Sequence, residues 1–172
     1  MKIAVFGSAF DPPTLGHLNV IKQCLEPFDE VWLVPSYRHA FGKNMSAYFH
    51  RCEMTKLFCH DVNQSCVKLV ACEVGINPHC TTPIYSLDLL RYLKNQQPSH
   101  DYSLIIGPDN HAAFDKFYQA DVLKTEFSPF VVKEQTKIRS TKVRHAVKKD
   151  LCIQEFVSGT IAQYINQNNL FI

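Results

Sequence analysis

The sequence predicts an α/β protein: a single Rossmann-like, doubly wound parallel sheet with helices on both faces and a C-terminal helical segment. Short apolar runs alternate with amphipathic helical stretches along the chain. The run at residues 3–6 is apolar without alternation, which is typical of a strand covered on both faces. With 172 residues and 46% hydrophobic content, the chain can bury one core, and we expect one domain over residues 1–172.

The first half of the chain reads as strand, helix, strand, helix. Residues 3–6 form the first strand, and Thr14 starts a helix with apolar positions at steps of three and four. Residues 30–34 form the second strand, followed by a polar loop. Ser46 is the predicted N-cap of a helix that runs to about residue 61.

The second half continues the alternation. Thr82 and Pro83 are the predicted N-cap and first residue of another helix, because proline is favoured at that position. The remaining predicted strands cover residues 67–72, 102–106 and 129–132. The remaining predicted helices cover residues 109–124, a basic stretch from residue 139, and residues 153–167.

Composition excludes several classes of protein. A formal net charge of +2 gives no electrostatic case for nucleic-acid binding, and no run of about 18 apolar residues predicts a membrane span. The N-terminus lacks a signal-peptide pattern. Seven cysteines without a Cys-x-x-Cys pair predict free thiols in a reducing cytoplasm. Neighbouring Cys and His at 59–60 and 79–80 lack zinc-site spacing, so we expect no structural metal.

Residues 7–17 predict a phosphate site. They read Gly-Ser-Ala-Phe-Asp-Pro-Pro-Thr-Leu-Gly-His and stand between a buried strand and a helix. A helix N-terminus favours anions, and glycines at 7 and 16 would let a phosphate approach the backbone. His17 in the first turn can direct a donor to the same place. Neither a P-loop nor a Gly-x-Gly-x-x-Gly pattern is present.

A second candidate anion site lies at residues 138–144, Ile-Arg-Ser-Thr-Lys-Val-Arg. Ser140 is the predicted N-cap, and Arg144 follows about one turn later, where its guanidinium can grip a phosphate. Taken alone, this stretch fits a solvated basic helix equally well. Together, the two stretches predict two helix N-termini directed at one triphosphate.

These motifs resemble those of nucleotidyltransferases with an (H/T)xGH motif, and in particular the nicotinate or nicotinamide mononucleotide adenylyltransferase family. Ile138-x-Ser-Thr-x-x-Arg144 is similar to that family's Ile-Ser-Ser-Thr-x-x-Arg. His50-Arg51 with Met54 resembles its His-Arg-x-x-Met helix, residues 83–90 its Ser-Tyr-Thr-x-Asp-Thr-Leu segment, and residues 107–109 its Gly-x-Asp turn.

The resemblance implies transfer of the adenylyl group of ATP to a pyridine mononucleotide, with Mg²⁺ as cofactor, in NAD biosynthesis. It implies catalytic roles for His17, Thr14 and Arg144. The implied ATP-binding residues are Gly7, Ser8, Phe10, Gly16, Gly107, Asp109, Ser140 and Thr141. The implied substrate-binding residues are Lys43, Ser86, Asp88, Phe117 and Tyr118. The implied partners are ATP and the mononucleotide, with homo-oligomer formation as a further possibility.

The chain departs from the family pattern at four places. Thr14 replaces the usual first histidine, Arg139 the first serine of the second motif, and Phe117 a tryptophan that stacks on the pyridine. The segment at 133–137 is tens of residues shorter than usual. Two alternatives therefore stay open: adenylyl transfer to another acceptor such as phosphopantetheine, and a catalytically idle nucleotide-binding module. The choice between an acid and an amide on the pyridine is also open.

Overall fold

The computed structural model describes residues 1–38, 42, 44–79 and 82–172, and its centre is a five-stranded sheet. The strands are β1 (Lys2–Ser8), β2 (Glu30–Pro35), β3 (Val67–Leu69), β4 (Asp101–Ile106) and β5 (Phe130–Val131). Their order is β3-β2-β1-β4-β5, and each neighbouring pair is parallel. The predicted α/β fold with a parallel sheet is therefore confirmed.

Helices cover both faces of the sheet. They are α1 (Leu15–Cys24), α2 (Tyr48–Val62), α3 (Glu73–Ile76), α4 (Ser86–Gln96), α5 (Pro108–Ala112), α6 (Ala120–Phe127), α7 (Ser140–Lys148) and α8 (Gly159–Gln167), with a 3₁₀ turn at Phe114–Lys116. Ala4 of β1 belongs to the core under α1, α2, α7 and α8, whereas Ile3 and Val5 belong to the core under α4 and α6. This alternation follows from the period of two along a strand.

The strand order reverses between β1 and β4. The chain runs outward from β1 through β2 to β3, and then returns to place β4 on the other side of β1. In open parallel sheets, ligands bind beyond the carboxyl ends of the strands at such a reversal. Ser8 and Ile106 are the last residues of β1 and β4, so the topology places the predicted phosphate loop at this position.

The N-caps predicted at Ser46 and Thr82 are wrong. The residue before α2 is Ala47 rather than Ser46, and the residue before α4 is Tyr85 rather than Thr82; neither helix has a side-chain cap. Tertiary contacts explain the first difference, because the Ser46 N–H donates to Asp11 Oδ2 at 3.2 Å. Thr82 instead accepts hydrogen bonds from the side chain of Asn77 on its carbonyl and hydroxyl oxygens.

The single helix predicted over residues 109–124 is interrupted. The chain forms α5, a 3₁₀ turn and then α6, with left-handed φ of +50° at Gln119. The rings of Phe114 and Phe117 stack at 5.2 Å and pack against the core. The break therefore lies where both rings pack on the core, and tertiary packing of this kind can override a local helical preference.

Two further predicted bounds change. The third strand ends at Leu69, and the short helix α3, which the sequence did not predict, follows. The closing helix begins at Gly159 rather than near residue 153, with Ser158 as its N-cap. The Ser158 and Thr160 hydroxyls both donate to the Asp61 carboxylate, which fixes α8 on α2.

No helix within the described part of the chain is long and apolar enough to cross a membrane.

Candidate functional site

The backbone at the carboxyl end of β1 faces unoccupied space. A Cβ built on Gly7 would meet no atom within 4 Å, so space remains in front of this residue. Phe10 has a left-handed φ of +47°, and its ring is fully buried. Because the whole residue is 0% exposed, its implied contact with the nucleotide stays a prediction.

Thr14 and His17 form a reciprocal cap at the start of α1. The Thr14 hydroxyl accepts from the His17 N–H, and the Thr14 N–H donates to His17 Nδ1 at 3.0 Å. Serine or threonine with Glu or Gln at the third helical position usually forms this box. Here histidine takes the third position, so the cap fixes the orientation of the imidazole.

The cap also fixes the imidazole tautomer. A backbone N–H can only donate, so Nδ1 acts as acceptor and the proton of the neutral ring resides on Nε2. Nε2 lies 3.3 Å from Ser8 Oγ, at the end of β1. Burial lowers the pKa of His17 to about 4, and the ring packs against Phe10 at 5.0 Å. At neutral pH, His17 thus offers an uncharged Nε2–H donor toward the opening.

The N-terminus of α1 is less available than the sequence suggested. The Leu15 N–H donates to the Phe156 carbonyl at 2.8 Å, and the His17 N–H is used by Thr14. Two N–H groups expected to face an anion therefore have protein partners. The His17 side chain and the backbone near Gly7 are among the groups that this loop can still present to a phosphate.

Glycine is needed at position 16 for a different reason from the one the sequence suggested. A Cβ at this position would overlap the carbonyl oxygen of Ile138, so glycine is required for contact between two protein segments. The Cβ side of Gly16 is therefore occupied by protein, and its predicted contact with the ATP phosphates stays a prediction. Ile138 opens the second motif, and Gly16 thereby lets the two motifs touch.

Two hydrogen bonds join the second motif to the first. The Ser140 hydroxyl donates to the Pro12 carbonyl at 2.8 Å, and Arg144 Nη1 donates to the Asp11 carbonyl at 2.6 Å. Ser140 is the first residue of α7 and Arg139 precedes it, so the predicted N-cap role of Ser140 is wrong. Its hydroxyl cannot cap α7 in this position because it binds across to the first motif.

Arg144 also borders a cavity of about 350 Å³ beside the first motif. Asp11, Asn44, Ser46 and Lys148 are among its other lining residues. Arg144 and Lys148 give this opening two cationic side chains. Thr141 is exposed on the first turn of α7, where its Oγ1 lies 3.5 Å from Arg144 Nη2.

Arg139 pairs with an implied ligand residue. Its Nη2 lies 2.8 Å from Asp109 Oδ2 and 2.7 Å from Glu134 Oε1. Asp109 stands in α5 just after Gly107, whose Cβ position faces open space. Arg139 thus links Asp109, which follows β4, to the segment before α7. Its positive charge also offsets part of the negative charge of Asp109 and Glu134.

The implied acceptor residues lie on the α4 and α6 side. Ser86 is half-buried as the first residue of α4, and Asp88, two residues later, is exposed. Phe117 packs on Phe114, whereas the exposed ring of Tyr118 stacks on Tyr85 at 4.9 Å. Lys43 lies outside the described residues, as do Cys80 and its neighbour Thr81.

Sequence reasoning missed the buried charges beside the site. Arg51, Asp11 and Glu73 are each at most 3% exposed. Asp11 Oδ1 is buried, and among the described residues it has no hydrogen-bond partner. A signal for Arg51 was present, because it shares the spacing of Met54 and Phe58 on the apolar face of α2.

The thiols agree with the sequence expectation where the structure describes them. Cys24, Cys52, Cys59, Cys66, Cys72 and Cys152 are free. Burial raises the pKa of the Cys24 thiol to about 12 and that of Cys59 to about 11, so these groups are thiols at neutral pH. Within the described ranges, no group of three His, Cys, Asp or Glu side chains could hold a metal ion.

A parallel α/β sheet with a Thr-x-Gly-His helix start at its central reversal, and a second helix start bound to it, defines a protein of the nucleotidyltransferase class. The model of the cytidylyltransferase-like family matches residues 5–154, and the chain belongs to that family.

The similarity to known proteins covers nearly the whole chain. The nicotinate-nucleotide adenylyltransferase of Bacillus subtilis is 26% identical, with 99% of this chain and 98% of that protein covered. A solved structure from Vibrio parahaemolyticus, assigned to nicotinate-nucleotide adenylyltransferase, is 32% identical with a TM-score of 0.87 and covers 99% and 94%. The Plasmodium falciparum nicotinic acid mononucleotide adenylyltransferase complexed with NaAD shares the fold at 17% identity, with a TM-score of 0.78 and 99% and 97% covered.

Proposed function

We propose that this chain transfers the adenylyl group of ATP to nicotinate mononucleotide, or to its amide counterpart, in NAD biosynthesis. The observation that carries the proposal is the junction of the two motifs, where Ser140 and Arg144 bind the carbonyls of Pro12 and Asp11. The full-length similarity to nicotinate-nucleotide adenylyltransferases supports the same reaction.

The ATP phosphates would lie between the two motifs. The Nε2–H of His17 would donate a hydrogen bond to an oxygen of the α-phosphoryl group. That oxygen would lie on the side of the ring where Ser8 Oγ is found in this structure. Thr14 would act by holding the imidazole in that orientation. The backbone at Gly7 and Phe10 would line the nucleotide, which the open space at Gly7 supports.

The β- and γ-phosphates would lie against the start of α7. Arg144 uses one Nη1 donor on Asp11, and its remaining donors can hold phosphate oxygens. Ser140 and Thr141 would add groups of the first turn, where the helix dipole favours an anion. Gly107 and Asp109 would bind the ribose, with Arg139 limiting the repulsion between Asp109 and the phosphates.

The mononucleotide would bind across the ends of β2 and β4. Lys43 would hold its phosphate, and Ser86 would contact the pyridine substituent, with Asp88 ordering that segment. Phe117 and Tyr118 would supply the aromatic surface for the pyridine ring, which Tyr85 extends by stacking.

The reaction is a direct displacement. A phosphate oxygen of the mononucleotide forms a bond to the α-phosphorus, the bond from that phosphorus to the β-bridging oxygen breaks, and pyrophosphate leaves. Mg²⁺ usually binds through substrate phosphates rather than a protein cage, so we propose MgATP as the substrate, with the ion sharing the developing charge. The protein supplies orientation and hydrogen-bond donors. We propose the cytoplasm as its location, in keeping with the free thiols.

The test is pyrophosphate release from MgATP with each acceptor in turn: nicotinate mononucleotide, nicotinamide mononucleotide and phosphopantetheine. We expect turnover with a pyridine mononucleotide, and loss of that turnover in His17→Ala. Turnover with phosphopantetheine alone would show that the acceptor is not a pyridine mononucleotide. If no acceptor gave pyrophosphate release, the proposed reaction would be overturned.

A further inference from the structure

Arg139 stands between two residues that contact the first motif. On one side, the carbonyl of Ile138 lies so close to Gly16 that a Cβ there would overlap it. On the other side, the Ser140 hydroxyl donates to the Pro12 carbonyl at 2.8 Å. Both chain neighbours of Arg139 are therefore fixed on the first motif, and its side chain starts beside that motif.

The side chain of Arg139 reaches from the first motif to the end of β4. Its Nη2 atom lies 2.8 Å from Asp109 Oδ2, and Asp109 comes three positions after Ile106, the last residue of β4. β4 is the neighbour of β1 at the point where the strand order reverses. The ion pair of Arg139 and Asp109 therefore connects the two strand ends between which open parallel sheets bind ligands.

A second carboxylate holds the guanidinium in place. The same Nη2 atom donates to Glu134 Oε1 at 2.7 Å, and Glu134 lies between β5 and α7. Asp109 meets Arg139 through Oδ2, so its Oδ1 can accept a hydrogen bond from a ligand. The side chains of Arg139 and Asp109 are 56% and 69% exposed, so a ligand in the opening can reach both.

We infer that Arg139 is a positioning residue for Asp109: it holds the carboxylate so that the second oxygen accepts a hydroxyl of the ATP ribose. This inference rests on the proposed adenylyl transfer, in which Asp109 binds the ribose. A carboxylate is a good acceptor for a ribose hydroxyl, but it repels the triphosphate, and the guanidinium offsets that repulsion. The serine that is usual at this position carries no charge and could not form the ion pair.

The test compares the affinity for ATP with the affinities for 2′-deoxy-ATP and 3′-deoxy-ATP, measured by titration calorimetry with Mg²⁺ and without an acceptor. All three nucleotides carry the same charge, so the ratio of their dissociation constants separates hydroxyl recognition from general electrostatics. In the wild type, we expect loss of the recognised hydroxyl to weaken binding roughly tenfold or more, because a hydrogen bond to a charged acceptor is lost. Asp109→Ala should reduce this ratio to about one, since the acceptor is gone.

Arg139→Ser should lower the ratio to about threefold or less although Asp109 is still present, because the carboxylate is no longer held. Arg139→Lys keeps the charge without the planar guanidinium and should retain a larger ratio than Arg139→Ser. Lys142→Ser is the matched control: Lys142 is exposed on the first turn of α7, and its replacement also removes one positive charge. Lys142→Ser should keep the ratio of the wild type.

The melting temperature provides the readout of a structural role. Exposed ion pairs contribute little to stability, so Arg139→Ser should melt close to the wild type. If ATP binds but the ratio is unchanged in Arg139→Ser, the inference is overturned and the proposed function stands. A ratio near one in the wild type would have the same consequence. If the wild type does not bind ATP, the proposed function is contradicted and this inference with it.

Discussion

Gly16 and Ile138 lie in such close contact that a Cβ on Gly16 would overlap the Ile138 carbonyl oxygen. Residues 122 positions apart are thereby locked together, and each belongs to one of the two motifs. The contact explains why the start of α1 and the approach to α7 face one site.

Gly16→Ala should destabilise the protein by about 1–3 kcal/mol, because the added Cβ overlaps backbone rather than a flexible side chain. This loss exceeds the roughly 1 kcal/mol that alanine gains over glycine in a helix. Urea unfolding measures the difference. Gly7→Ala is the control, since a Cβ there meets nothing within 4 Å, and its unfolding midpoint should stay near that of the wild type. Equal midpoints for both variants would contradict the close contact.

His17→Ala should reduce turnover by roughly 10²–10⁴-fold, as expected when a donor to the developing charge is removed. The fold should persist, since His17 is half-buried and the Thr14 hydroxyl can accept another N–H of the first turn. Single-turnover kinetics and circular dichroism measure the two effects. Near-normal turnover in a folded variant would remove the central role given to this imidazole.

The pH dependence of kcat/KM should show no acid limb near pH 6.5 from His17. Burial lowers the pKa of its imidazole to about 4, so the free enzyme keeps the neutral Nε2–H form above that pH. The folded pKa lies below the unfolded one, so the His17 contribution to stability is present above pH 6.5 and is lost as pH falls toward 4. Imidazole titration followed by NMR checks the value, and a His17 pKa near 6.5 would contradict the prediction.

Arg144→Ala should chiefly weaken ATP binding, by roughly tenfold or more, because charge-assisted hydrogen bonds to phosphate contribute about 1.5–3 kcal/mol. Titration calorimetry with a nonhydrolysable ATP analogue measures the affinity. Arg144→Lys keeps the charge but not the paired donors and should fall between alanine and the wild type. ATP affinity that is unchanged in Arg144→Ala would exclude the phosphate contact.

Glu73 should make stability depend on pH. Burial raises the pKa of its carboxyl from 4.5 to about 7, against the opposing effects of the Tyr37 N–H and the Arg51 charge; Tyr48 and Cys72 also face this group. Its contribution to stability is therefore fully present below pH 4.5 and is lost as pH rises through 7. As pH rises from 5 to 8, the melting temperature of Glu73→Gln should therefore increase relative to that of the wild type. A constant difference across that range would contradict the raised pKa, and Glu155→Gln provides the control.

The motifs could be recognised from sequence because their residues are close together along the chain. The apolar run before Gly7 and the Thr-x-Gly-His pattern predicted the strand, the turn and the first helix, since backbone preferences act over a few residues. The caps assigned to Ser46 and Ser140 were wrong, since both residues make contacts with the first motif that no local rule contains.

The sequence by itself determined the alternation of strands and helices, the parallel sheet and the positions of the two motifs that we expect to bind phosphate, because each depends on periodicity or on short-range spacing. Only the tertiary structure decided how the motifs meet at Gly16 and Ile138, which tautomer His17 adopts, and that Arg51 and Glu73 hold the chain after β2. These features join residues far apart in sequence, so they exist only after burial has brought their partners within hydrogen-bonding distance.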